Sequence, residues 1–398
     1  MAEALISPGV LAIENDQSFI TQQPVVVGAA IIGPTVKGPV EIPTVVTSYS
    51  DYQNKFGTTF LSASSIYTYF TSIAAYNYFA NGGETLLVAR VTSGSFTSAT
   101  TSGSQGTPIL NSNTSESVRF ATISQGTIMN STSSLGTNGT LASGSSDNIR
   151  WQITNADTAS GTFTLLIRQG DDTTTTPTIL ESWTNLSMDP TAPNYVARVI
   201  GDQYRQYNVA DNQIEVNGTY PNASRYVYVS SVLTPTPFYF DNNGTAKSAF
   251  TGSIPVAASG SFGGATGNLF GNGAKYYSNI VSGVTNTQGL TGSDYNNMIA
   301  LLSNQDDYRF NALITPGLFA SEAPIGSSQV TSIISNTENR GDNIFVSDLV
   351  PFSSSISAVT VQANAKNTSY AAAYWPWVQT IDPDSAQLVW VPASTMIA

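Results

Sequence analysis

The segments whose residue types and spacing could do chemistry are the acidic pairs Asp171-Asp172 and Asp306-Asp307, a glycine-rich run, and an aromatic cluster. Two carboxylates can hydrolyse a glycosidic bond when they face each other across a cleft about 5–9 Å wide, and such pairs usually come from distant positions. Adjacent aspartates on a turn are ordinarily solvated surface, so a glycosidase built on Asp171 or Asp306 is the weaker reading. The run Gly260-Ser-Phe-Gly-Gly-Ala-Thr-Gly267 to Gly271-Asn-Gly-Ala-Lys275 invites a phosphate-loop reading. That loop needs Gly-x4-Gly-Lys-Ser/Thr between strand and helix, whereas Ala274 precedes Lys275 and Tyr276 follows it, so the pattern fails. Calcium would find many Asp and Asn oxygens but no Asp-x-Asp-x-Asp-Gly loop. The cluster Tyr374-Trp375-Pro376-Trp377, with Trp390 nearby, could stack on a sugar ring, but its place at the end of an apolar strand favours packing. Trp151 and Trp183 are the tryptophans open to a sugar site in the middle of the chain.

Absences narrow the chemistry further. Of 398 residues none is Cys and none is His, which removes thiolate nucleophiles, disulfides, Ser-His-Asp triads and His-ligated metals. No metal and no cofactor is implied. Hydrophobic residues make up 41% of the chain, enough for real cores, but charged residues only 10%, against a usual ~25%. Lys and Arg number 14 and Asp and Glu 26, a net charge of -12 that opposes nucleic acid and anionic lipid as partners. No run of about 18 apolar residues would span a membrane, and Met1 to Val10 lacks the basic and apolar regions of a secretory signal. The Asn-x-Ser/Thr triplets at Asn130, Asn138, Asn185, Asn217 and Asn222 are expected by chance in so Ser/Thr-rich a chain.

The elements that would position these groups fall into four segments. Residues 1–21 read as an extended arm: Leu5, Ile6, Val10, Leu11 and Ile13 are apolar, but Ser7-Pro8-Gly9 interrupts them. Residues 22–95 begin an α/β layer. Gln22 to Ile32 is a strand buried on both faces, Pro39 to Val46 an extended piece, and Thr47 to Gly57 a short capped helix. An aromatic stripe over 63–80 predicts a second helix, and Glu84 to Val91 another strand. In residues 96–236 helical periodicity vanishes. Short alternating segments (Ser117–Ile123, Asn148–Ile153, Thr162–Arg168, Ser224–Val232) predict an inserted antiparallel β module. Residues 237–398 return to alternation. Ser293 would cap a helix, Phe310–Thr315 would be a strand ending at Pro316-Gly317, and a helix through Val330, Ile333 and Ile334 would stop at Gly341. Strand Asn343–Val350, helix Ile356–Lys366, strand Tyr370–Trp375 and extended Ala386–Val391 complete it. The fold class is α/β within a multidomain α+β chain: a mostly parallel or mixed sheet flanked by helices.

Taken in order, several of these residues resemble the contractile tail sheath proteins of myophages. They are Ser7-Pro8-Gly9-Val10, Val25–Gly33 running into Gly33-Pro34 and Gly38-Pro39, Thr47-Ser-Tyr-Ser-Asp-Tyr52 with Phe56-Gly57, and the aromatic helix ending in Gly82-Gly83 before Leu87-Val-Ala-Arg-Val91. Near the end stand Ser369-Tyr-Ala-Ala-Ala-Tyr-Trp-Pro-Trp377 and Val391-Pro392-Ala-Ser394. The likeness covers 1–95 and about 285–398, and it departs at Gly263-Gly264-Ala-Thr-Gly267, which only approximates the family's Gly-Gly-x-Asp-Gly. It implies a non-enzymatic structural subunit with no cofactor, assembling into a helical homo-oligomer around a tail tube and meeting baseplate and terminator proteins. It also implies that Leu5, Ile6, Ser7, Pro8, Gly9, Val10, Leu11 and Ile13 form the inter-subunit arm. Tyr370, Tyr374, Trp375, Pro376, Trp377 and Pro392 would be a core packing signature. The location implied is the virion, after assembly in the host cytoplasm. Family members usually continue beyond the Val-Pro element into a further domain, so the sequence is expected to be part of a longer chain. The sheath of an R-type bacteriocin or of a type VI secretion system is the nearest alternative, and a carbohydrate-binding role for residues 96–236 is one of another class.

Overall fold

The computed structural model describes residues 25–62, 65–102, 105–270, 288–321 and 327–397. The arm residues Leu5 to Ile13 and the stretch Gly271 to Lys275 lie outside the described residues. The apolar run expected as a doubly buried strand is β1 (Val25–Gly33), whose Ala29 to Ile32 are at most 1% exposed. The extended piece after it condenses to a short β2 (Thr44–Val46). Helix α1 (Tyr49–Phe56) starts where the Ser48 side chain accepts from the Asp51 backbone N–H and stops at Gly57, whose φ of 71° suits glycine.

The aromatic stripe over 63–80 does not make a single helix. Its first part pairs instead, β3 (Thr59–Ser62) with β4 (Ser65–Thr68), and only α2 (Phe70–Ala80) is helical. Cross-strand packing of Phe60 on Tyr67, with ring centroids 5.3 Å apart, wins over the helical period there. Strand β5 (Leu86–Arg90) follows, every residue buried.

The insertion contains β6 (Ser98–Thr100), β7 (Ile109–Leu110), β8 (Glu116–Gln125), β9 (Ile149–Asp157), β10 (Thr162–Gln169) and β11 (Ile179–Ser187). After helix α3 (Val196–Ile200) come β12 (Tyr204–Asn208), β13 (Gln213–Asn217), β14 (Val227–Val232), helix α4 (Ser248–Thr251) and β15 (Ala258–Ser261). Two antiparallel sheets, ordered β11-β10-β9-β15 and β14-β8-β6, close over one core that includes Phe120, Trp151, Phe163 and Leu165. Strand β15 arises from the glycine-rich stretch and pairs with β9, so Phe262 and Ala265 pack in this second core. The chain enters and leaves side by side: Thr97 N donates to Thr266 O at 3.2 Å.

The return to the main layer begins with a turn capped by Thr291 rather than Ser293, because Asp294 can reach back to the Thr291 N–H at 2.7 Å and complete a capping box. Then come α5 (Asn296–Leu301), β16 (Tyr308–Phe319), α6 (Ser327–Arg340), β17 (Ile344–Asp348), α7 (Ile356–Asn364), β18 (Ala371–Ala373), β19 (Val378–Ile381), β20 (Leu388–Val391) and α8 (Ser394–Ile397). β16 runs on through Pro316-Gly317, with a register shift against β17 between Ile314 and Phe319. The main sheet has the order β18-β17-β16-β1-β5-β2, parallel except for β2 at one edge. Alternation sends Ala29, Ile31, Leu86 and Val88 to the face covered by α1 and α2. Ala30, Ile32, Leu87 and Ala89 go to the face covered by α5 and α6. Both faces are therefore sealed, as a parallel sheet requires.

Close approach of helix to strand is sharpest at Gly33, where a Cβ would fall 2.3 Å from Thr71 Oγ1. Gly33→Ala is expected to cost roughly 1–3 kcal/mol by overpacking, read as a lower urea midpoint. Adding Thr71→Ala, which removes the obstructing oxygen, should recover most of the loss; no recovery would place the strain elsewhere.

Candidate functional site

In a doubly wound sheet ligands enter the crevice outside the carboxyl ends of the strands, where strand order reverses. Here the reversal lies between β1 and β16, and the chain fills the crevice itself. Gln288 accepts from the Phe70 N–H at 2.7 Å and donates to Pro316 O at 3.1 Å, bolting the start of α2 to β16. Trp377 inserts beside it, its ring 5.8 Å from Phe70, 5.7 Å from Phe319 and 5.5 Å from Phe352. Its indole N–H donates to Val350 O at 3.1 Å, so the polar atom of this buried ring is satisfied.

Three carboxylates hold the C-terminal segment over that plug. Asp348, at the end of β17, accepts from Gly317 N at 3.1 Å and from Ser394 Oγ at 2.8 Å, joining β16, β17 and α8. Burial pushes its carboxyl up to about 6, against the donors, which pull it down. The turn Asp382-Pro-Asp-Ser385 joins β19 to β20 and supplies the other two. Asp382 accepts from Thr68 Oγ1 at 2.6 Å and from the Ser385 hydroxyl. Asp384 accepts from the Tyr49 hydroxyl and from Gln53 Nε2 at 2.9 Å. Burial raises the Asp384 carboxyl, and burial together with the Asp384 bond raises the Tyr49 hydroxyl. These acids are engaged by donors on α1, β4 and α8; they fasten the chain rather than face a cleft.

The residues singled out in the sequence scatter. Asp172 is buried and gripped by Arg168 at 2.7 and 2.8 Å, by Arg150 at 3.4 Å and by Thr178 N at 2.9 Å. Asp171 beside it is exposed, as are Asp306 and Asp307, so neither pair spans a cleft. Trp151 is buried with its N–H on Thr107 O at 3.2 Å, and half-buried Trp183 bonds Glu181. Among the described residues no three acidic side chains converge as a metal site. In the aromatic cluster the expected packing fails for most members: Trp377 and Pro392 are buried, whereas Tyr370, Tyr374, Trp375 and Pro376 are exposed. The reason is that β18 is a three-residue edge strand, so the chain leaves the sheet at Ala373 with no further strand of the described residues paired outside it. Of the residues that do the fastening, only Asp382 and Asp384 had a signal, the Asp-Pro-Asp-Ser turn between two apolar runs; Asp348 and Gln288 had none.

Trp377→Ala is expected to cost roughly 3–5 kcal/mol, and exposed Trp375→Ala less than about 0.5 kcal/mol, both read by chemical unfolding. Because the Asp348 carboxyl sits above its ordinary 3.8, the native state holds that proton more tightly than the unfolded chain. The stability it contributes is complete below about pH 4 and is lost as pH rises through about 6. Relative to Asp348→Asn, the natural chain should lose roughly 3 kcal/mol over that window. A difference that stays flat with pH would show that Asp348 titrates normally.

No family model matches the chain, and no curated protein matches it. Among solved structures it resembles a sheath tail protein from Listeria innocua, at 10% identity and a TM-score of 0.46, covering 94% of this chain and 56% of that one. It also resembles a sheath tail protein from Desulfitobacterium hafniense, at 12% identity and a TM-score of 0.37, covering 97% and 60%. The chain thus spans less than two thirds of the length of either.

Proposed function

We propose that this chain is a structural, non-catalytic subunit of a phage contractile tail sheath. It polymerises helically around the tail tube and contracts to drive the tube through the host envelope. The observation that carries this reading is the plugged crevice: where a doubly wound sheet ordinarily takes a ligand, Trp377 and Gln288 take its place. The segments that carry the sequence resemblance, far apart along the chain, meet around that plug and spend their polar groups on one another. In the assembled virion, which forms in the host cytoplasm, the partners are further copies of the chain, the tube, the baseplate and the terminator.

The arm is the connector in this mechanism. Leu5, Ile6, Val10, Leu11 and Ile13 are apolar enough to bury against a neighbour, while Ser7-Pro8-Gly9 prevents a core of their own. Added as a strand, the arm would gain about 0.5–1.5 kcal/mol per hydrogen bond and roughly 1.5–3 kcal/mol per buried apolar side chain. Ordering costs about 1–2 kcal/mol per residue, so the net is modest per arm and large only when repeated along a filament. In the full-length protein, replacing Val10 and Ile13 with Asp is expected to leave subunits with an unchanged melt but no ordered tubes by electron microscopy. Normal, contracting sheaths from that variant would sink the mechanism.

The inserted module, residues 96–236 with the returning strand to Ala265, is proposed to face outward and to be removable without unfolding the rest. Joining Thr97 to Thr266, already hydrogen-bonded neighbours, should leave a chain that melts cooperatively. Its midpoint is expected to fall, because Tyr207 of the module packs in the main core. Aggregation of every such deletion would make the module part of one indivisible core.

A further inference from the structure

A groove of about 480 Å³ opens between the insertion and the main layer. Its charge is opposite to that of the chain. Lys37 and Lys55 reach it from the main layer, and Arg205 and Arg225 from the insertion, so among the described residues four basic side chains line it against one acid, Asp147. Asp147 is already paired with Lys37 at 3.4 Å, and Lys55 with Asp51 at 2.9 Å. Arg205 and Arg225 are exposed and make no ion pair among the described residues. Beneath the floor lies Arg90, fully buried, its Nη1 on the carbonyls of Gly38 at 2.6 Å and Gln125 at 2.8 Å, with no carboxylate paired to it among the described residues. Its charge reinforces the positive field above.

The groove also carries an aromatic platform. Tyr204 and Tyr228 stack with centroids 5.4 Å apart and planes at 26°, and Tyr204 remains 42% exposed. An exposed ring suits the C–H face of a sugar; the amides of Gln203 and Asn222 in the wall suit its hydroxyls. Two separated guanidiniums match carboxylates on successive rings, since Arg forks onto a carboxylate in a bidentate manner. Phosphate fits less well: phosphate sites favour helix N-termini, and the helix end in this wall is the last turn of α1, at Asn54 and Lys55. A flexible acidic peptide would gain less from the stacked tyrosines.

We propose that this groove binds an acidic oligosaccharide, with Arg205 and Arg225 on its carboxylates and Tyr204 under a sugar ring. The site does not depend on the sheath reading. The test is calorimetric titration of the whole chain with trigalacturonate, maltotriose and tetraglutamate. Trigalacturonate is expected to bind, and to bind at least about tenfold more weakly in Arg205→Gln/Arg225→Gln, since charge-assisted hydrogen bonds are lost. Tyr204→Ala should weaken it as well, and maltotriose should bind far less. These side chains are exposed, so unchanged melting curves will show that the variants remain folded. Absence of trigalacturonate binding, or equal binding by the double variant, overturns the proposal. Tetraglutamate binding as tightly as the sugar would reassign the groove to acidic peptides and overturn it equally.

Discussion

A parallel sheet covered by helices on both faces still leaves the crevice at the carboxyl ends of its strands, and how that crevice is closed governs the rest of this structure. The indole of Trp377 occupies it, held by Phe70, Phe319 and Phe352 and by one hydrogen bond to Val350 O. A side chain so far along the sequence can sit there only if its own segment is anchored, which is the task of Asp348, Asp382 and Asp384. The N-terminal and C-terminal parts of the main layer are thereby one folding unit.

Few charges are spent inside, and those that are differ in kind. Asp172 holds two arginines, Arg150 and Arg168, so a buried acid is outnumbered. Arg90 has no acidic partner among the described residues; backbone carbonyls and the Phe96 ring at 5.1 Å share its charge, and burial lowers its basicity to about 10. Ion pairs of this depth often contribute little net stability, yet losing one partner is costly because the other remains buried.

Much of this was legible from the sequence because it rests on periodicity and caps. The apolar run of β1, the Ser48 cap and Gly57 stop of α1, and the alternation in β8, β9, β10 and β14 follow from local residue type. What was not legible depends on partners far along the chain. The stripe over 63–80 carries both a helical and a hairpin pattern, and the packing of Phe60 on Tyr67 and Tyr69 across the strand pair favours the hairpin. Exposure of Trp375 beside buried Trp377 follows from where a sheet ends, which composition does not encode. The burial of Asp348 needs Gly317 and Ser394, 31 and 46 residues away, and no spacing announces them.

The hairpin of β12 and β13 leaves the insertion and settles on the main layer, with Tyr207 in that core and Asn212 Nδ2 donating to Ala300 O at 3.2 Å. A module hung only from the neck at Thr97 and Thr266 would swivel, and a push on its outer surface would be spent in rotation. A second footing makes it a bracket. The Asn212 bond to Ala300 and the burial of Tyr207 restrain that rotation, so the module is held in one orientation against α5.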